Sequence, residues 1–117
     1  MTNQDLLAIA AEYGSPVYVY DAEKIEAQYK RLTSAFSSIK KLRIHYAVKA
    51  LSNISILKFI DKLGSGLDTV SIQEVQLGIK AGVDPSKIIF TPNGVSLEEI
   101  EKVAKLGVQI NIDNLSI

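Results

Sequence analysis

The segment HYAVKAL, His45 to Leu51, sets one lysine where a strand-forming run gives way to polar, helix-starting sequence. Lysine ordinarily keeps its ammonium in water on a flexible stem, so Lys49 at the close of the apolar run Ile44 to Val48 needs a reason. An amine that is desolvated or close to other cations loses its proton more readily and can condense with a carbonyl to form a Schiff base. Two carboxylates follow. In GLDTVSIQE, Asp68 lies near the end of a second strand candidate and Glu74 just inside the next helix. In a parallel sheet both gather with Lys49 at the carboxyl-terminal rim, where active sites of such folds lie. Each residue also has a plainer role open to it. Lys49 serves equally as a solvated lysine beginning a loop, Ser71 and Glu74 fit an S-x-x-E capping box, and Asp68 could do similar work in a loop. His45, the one histidine, reads as an interior-lining residue more than as a general base.

From Leu42 onward the elements that must position these groups alternate between strand and helix. LRIHYAVK, 42–49, is the first strand, with Ile44, Tyr46 and Val48 on one face and His45, Ala47 and Lys49 on the other. A small Ala47 below Lys49 leaves the longer side chain room to rise to the rim. Ser52 to Leu63 follows as a helix with Ile56, Leu57, Ile60 and Leu63 on one face. GLDTVS is the second strand, followed by a helix through Val75 and Ile79 to Gly82. KIIFT is the third strand and Ser96 to Leu106 the third helix, opened by a capping box of Ser96 and Glu99. VQINID is the fourth strand. The helices end alike, in KLG, KAG and KLG. One βα unit recurs every ~20 to 25 residues, which implies parallel strands joined by right-handed crossovers.

Ahead of these units stand a short amphipathic helix in MTNQDLLAIAAEYG, a β-rich run PVYVYD at 16–21, and a helix with Ile25, Tyr29, Leu32 and Phe36 on one face. The expected division is a lead-in over 1–41 and an α/β region over 42–117. Closing a parallel barrel takes eight strands and roughly 250 residues. The α/β region is therefore an open four-stranded sheet or the front half of something larger.

Composition narrows the classes. With 47% hydrophobic residues a buried core is expected, and 13 basic against 13 acidic residues, with no basic stripe, speak against a nucleic-acid partner. The chain has no cysteine and one histidine, so neither a disulfide framework nor a metal site is expected. The amino-terminal apolar patch has no basic leader and is far short of a membrane span, so a cytoplasmic protein without a membrane partner is expected. GSG at 64–66 and TPNG at 91–94 read as turns.

Taken together, YAVKA, KLGSGLDTVSIQEV and AGVDPSKIIFTPNGVS resemble the barrel of the pyridoxal-phosphate amino-acid decarboxylases of the alanine racemase fold type, and among these most closely the diaminopimelate decarboxylases. The resemblance runs from about Ser15 to the end of the chain. It implies the front half of a (β/α)8 barrel, pyridoxal 5'-phosphate as cofactor, a small amino-acid substrate and a homodimeric full-length enzyme. Lys49 would hold the cofactor as a Schiff base, Ala47 would lie under it, and Asp68 would be a polar residue near it. Glu74 would support the site from the following helix, with His45 a further supporting candidate. Where the family often has Asn after YAVKA this chain has Leu51, with Asn53 two places later. Relatives acting on ornithine or arginine share the lysine and the D-x-x-S-x-x-E pattern. The family's phosphate loop, ring-stacking histidine and second-domain residues have no counterpart, so the 117-residue chain is expected to be inactive alone, and VYVYD to lack its sheet partner. The alternative is a self-contained α/β binding domain.

Overall fold

The computed structural model describes residues 1–112. The chain divides into two compact units, Met1–Lys40 and Lys41–Ile117.

The first unit holds helices α1, Asn3–Tyr13, and α2, Ala22–Ala35. A reciprocal capping box opens α1: Thr2 N–H donates to the Asp5 carboxylate at 2.6 Å, and Asp5 N–H donates to Thr2 Oγ1 at 3.2 Å. These bonds hold the Asp5 carboxyl below the usual carboxylate range, the backbone bond most of all. Asp21 caps α2 by accepting from Lys24 N–H. Neither helix contains a buried residue. The strand expected over 16–21 does not form, and Tyr18 is 90% exposed. A strand exists only against a partner that takes up its N–H and C=O groups, and among the described residues this run has none.

The second unit is a parallel sheet of β1, His45–Ala47, β2, Gly66–Thr69, β3, Ile88–Phe90, and β4, Gln109–Ile110, in that spatial order. Between the strands run α3, Ile54–Lys62, α4, Ile72–Lys80, and α5, Leu97–Ala104. Asp113, the last residue of the expected fourth strand, lies outside the described residues. A consecutive order without reversal is the winding of a barrel, since a doubly wound sheet turns back at a switch point. Ala47 pairs in register with Asp68, Asp68 with Ile89, and Ile89 with Gln109.

The helices and one sheet face enclose the core. Leu67, Ile88 and Phe90 from the strands meet Val48, Leu57, Val75 and Val103, all fully buried. Each such side chain contributes ~1.5–3 kcal/mol on leaving water. The buried hydroxyls are satisfied: Thr69 Oγ1 donates to the Ile89 carbonyl at 2.9 Å, and Ser65 Oγ lies 3.0 Å from that of Ile44. The opposite face, with Ala47, Asp68 and Ile89, is only half-buried.

The first strand is shorter than expected. It stops at Ala47, and Val48–Ala50 forms a 3-10 turn closed by Leu51 N–H on the Val48 carbonyl at 3.1 Å. The neighbouring strand ends too, because Val70 N–H turns to the Glu74 carboxylate. Val48 still reaches the core, so the turn has a buried anchor. Helix starts follow serine and asparagine chemistry: Asn53 Oδ1 accepts from Ser55 and Ile56 N–H, Ser71 Oγ from Glu74 N–H, and Ser96 Oγ from Glu99 N–H. Neither expected box is reciprocal, since the Glu74 carboxylate bonds Val70 N–H and that of Glu99 crosses to Ile72 N–H. Gly64, Gly82 and Gly107 follow the three helices at φ of 100°, 93° and 76°, a conformation open to glycine at little cost. Asn53→Ala removes the cap that directly follows the Lys49 turn. It should destabilise the unit by about 1 kcal/mol, read as a lower urea midpoint at unchanged slope.

Candidate active site

Lys49 sits in the middle of the 3-10 turn, past the end of β1 instead of on it. Three contacts fix this turn: the buried Val48 side chain, the Leu51-to-Val48 backbone bond, and Tyr46 OH donating to the Leu51 carbonyl at 3.3 Å. The aminoalkyl chain is exposed and lines a cavity of about 380 Å³ with Val70, Thr91, Pro92, Asn93, Asn111 and Ile112. Those residues follow β1, β2, β3 and β4 in turn, so the carboxyl-terminal ends of all four strands meet there. That is the end of a parallel α/β sheet at which ligands bind.

A polar chain crosses the same strand ends. Asn111 Nδ2 donates to Thr91 Oγ1 at 3.0 Å, and the Thr91 hydroxyl donates to Asp68 Oδ1 at 3.0 Å. Thr91 and Asn111 are themselves held by the ladder, through Thr91 N–H on the Thr69 carbonyl and Asn111 N–H on the Phe90 carbonyl, each at 2.8 Å. Asp68 does not line the cavity but is tied to it through Thr91. Ala47 lies beside Asp68 in register, on the half-buried face.

The expected cluster of one amine and two carboxylates does not close into ion pairs. Glu74 Oε2 accepts from Val70 N–H at 2.8 Å, Asp68 bonds Thr91, and the ion pairs among the described residues do not involve Lys49. Glu74 thus shapes the turn that carries Val70 into the cavity wall. Among the described residues the amine has no salt-bridge partner.

His45 is not part of this constellation. It is the first residue of β1 and lines a second cavity, of about 280 Å³, at the amino-terminal ends of the strands, together with Arg43, Gly66 and Lys87. Thr91 and Asn111 are the residues that strand and turn patterns passed over. Their signal is alternation: each stands two places past a residue of the sheet face opposite the core, half-buried Ile89 and exposed Gln109 respectively.

The donor set suits part of a pyridoxal-type cofactor. Lys49 offers the primary amine an aldehyde needs, and the Asn111–Thr91–Asp68 chain offers polar groups at the same strand ends. Lys49 is the one cation lining this cavity, so among the described residues no second basic group is there to grip a phosphate.

Residues 22–117 match the family described as pyridoxal-dependent decarboxylase, pyridoxal binding domain. A diaminopimelate decarboxylase of Methanothermobacter thermautotrophicus is 38% identical over 113 residues, 96% of this chain and 26% of the relative. One from Helicobacter pylori J99 is 47% identical over 96 residues, 82% of this chain and 24% of the relative. A solved diaminopimelate decarboxylase from M. jannaschii, in complex with L-lysine, aligns with a TM-score of 0.88 at 32% identity, over 95% of this chain and 27% of that one. The four strands and their helices thus have the fold of the first part of that barrel. The chain spans about a quarter of the length of the curated relatives it matches.

Proposed function

We infer that this chain, which belongs to the pyridoxal-dependent decarboxylase family, is the amino-terminal part of a diaminopimelate decarboxylase. The full-length enzyme would convert meso-2,6-diaminopimelate to L-lysine and carbon dioxide, acting at the D-configured carbon. The observation that carries this reading is Lys49, on an anchored turn at the meeting point of the four strand ends.

In this reading Lys49 would hold pyridoxal 5'-phosphate through its Nζ amine. Bound there, the cofactor supplies an electron sink for the pair left behind when carbon dioxide departs. Lys49, the basic residue of the Val48–Ala50 turn, would also be placed to move a proton at the reacting carbon. Asp68, oriented by Thr91 and through it by Asn111, presents a fixed polar group beside Ala47. Glu74 keeps Val70 in the wall. A cysteine-free composition suits the cytoplasm, and the family resemblance suits a homodimer.

The test is carbon dioxide release by the full-length protein with added cofactor, using meso-diaminopimelate, L-ornithine and L-arginine in parallel. Turnover of meso-diaminopimelate with one L-lysine formed per carbon dioxide is expected. Preference for ornithine or arginine would overturn the substrate assignment and leave the family intact. The 117-residue chain alone should release none, since no phosphate grip accompanies Lys49 among the described residues.

A further inference from the structure

The turn between β2 and α4 reaches the rim cavity through Val70, and three hydrogen bonds hold it. Two are local: Val70 N–H donates to Glu74 Oε2 at 2.8 Å, and Glu74 N–H donates to Ser71 Oγ at 3.3 Å. The third comes from the next βα unit, where Glu99 Oε1 on α5 accepts from Ile72 N–H at 2.9 Å. Glu99 has its own anchor, since its N–H donates to Ser96 Oγ at 3.2 Å. It is half-buried in the groove between α4 and α5. The cation in that groove, Lys102, is engaged by Glu98 at 2.7 Å. The Glu99 carboxylate is therefore directed at the first amides of a neighbouring helix, where unpaired N–H groups and the helix dipole both favour a negative charge.

We propose that Glu99 is a positioning residue for the Lys49 cavity. It fixes the amino terminus of α4, and with it Glu74 and the Val70 wall, so that the third βα unit sets the shape of a site to which Glu99 contributes no contact. This rests on the proposed function insofar as the cavity is where the cofactor is held. A carboxylate at this place differs from an ordinary helix cap because its removal loosens a turn on another helix.

The experiment compares Glu99→Ala, Glu99→Gln and Lys102→Ala in the full-length protein. Amide hydrogen exchange is read at Val70 and Ile72, with Leu67 and Phe90 as core references. The rate at which borohydride traps pyridoxal phosphate on Lys49 is read beside that on the exposed Lys58. Glu99→Ala should speed exchange at Ile72 about tenfold, carry Val70 with it, leave the references unchanged, and slow trapping at Lys49 but not at Lys58. Glu99→Gln, which keeps an acceptor oxygen, should restore both readouts in part, and Lys102→Ala, which removes the Glu98 pair of α5 and leaves the hydrogen bonds of Glu99 in place, should reproduce neither. Unchanged exchange at Val70 in Glu99→Ala, or the same changes in Lys102→Ala, would overturn the inference. A parent protein that traps no cofactor at Lys49 would overturn the proposed function, while exchange at Val70 would still decide the role of Glu99.

Discussion

Lys49→Ala is expected to abolish specific capture of pyridoxal phosphate. In the parent protein, mixing with the cofactor, reduction with borohydride and peptide mapping should place the label on Lys49, with a visible absorbance band before reduction. The reason is local geometry. The amine lines the cavity where the four strand ends meet, a setting the exposed Lys58 on α3 does not share. It is also held on a turn fixed by a buried valine. Lys49→Arg keeps the charge but cannot condense with an aldehyde, so it should behave like the alanine variant. In the full-length enzyme either change should lower decarboxylation by on the order of 10⁴-fold or more, the scale seen when a covalent catalytic group is removed. Label spread over many lysines, in a pattern that Lys49→Ala does not alter, would mean that Lys49 is an ordinary surface residue.

Gly66→Ala should be among the most destabilising single-methyl changes in the second unit. A Cβ at Gly66 would lie 2.3 Å from the Lys87 carbonyl oxygen and 2.6 Å and 2.8 Å from Cδ2 and Nε2 of His45. The first of these is backbone at the foot of β3, where Leu67 and Ile88 pair in register, so it cannot retreat without opening the sheet. Overpacking of this kind costs ~3 kcal/mol or more, a large part of the ~5–15 kcal/mol that holds a typical domain. Gly78 is the control. Its added Cβ would meet Leu67 Cδ1 at 2.7 Å and Ile88 Cδ1 at 3.2 Å, the far ends of side chains that can move. The gain of about 1 kcal/mol in helix propensity offsets part of that contact. Urea midpoints should fall much further for Gly66→Ala than for Gly78→Ala, and equal midpoints would show that the strand feet are not packed as described. The same contact accounts for His45, which fills the space over a glycine at the amino-terminal edge instead of serving the Lys49 site.

Local physics made much of this protein readable from its residues. Apolar spacing in ISILKFIDK put Leu57 and Ile60 on the buried face of α3, and both are in the core because a helix repeats its faces whatever surrounds it. Ser71 and Ser96 cap α4 and α5 as expected, and Gly64, Gly82 and Gly107 follow the helices in the left-handed region, since both behaviours depend only on the residue and its neighbours in the chain. The alternation of strand and helix likewise required a parallel sheet, which brings strand ends, and so Lys49, to one rim.

What the tertiary structure alone decided is where each polar group finds its partner. A carboxylate reaches several ångströms and takes the donor that space provides, so the Glu99 of an apparent capping box bonds Ile72 on another helix, and Asp68 meets a threonine of β3's end instead of Lys49. Strand ends are equally non-local. His45–Ala47 stops where β2 ceases to offer a ladder, which moves Lys49 from strand to turn, and VYVYD, rich in β-forming residues, stays outside any sheet for want of a neighbour among the described residues. Sequence by itself determined the alternating strands and helices from Leu42 onward, their order and the rim on which the amine stands. The fold determined the network around it, because hydrogen-bond partners are chosen by distance in space, which spacing along the chain does not encode.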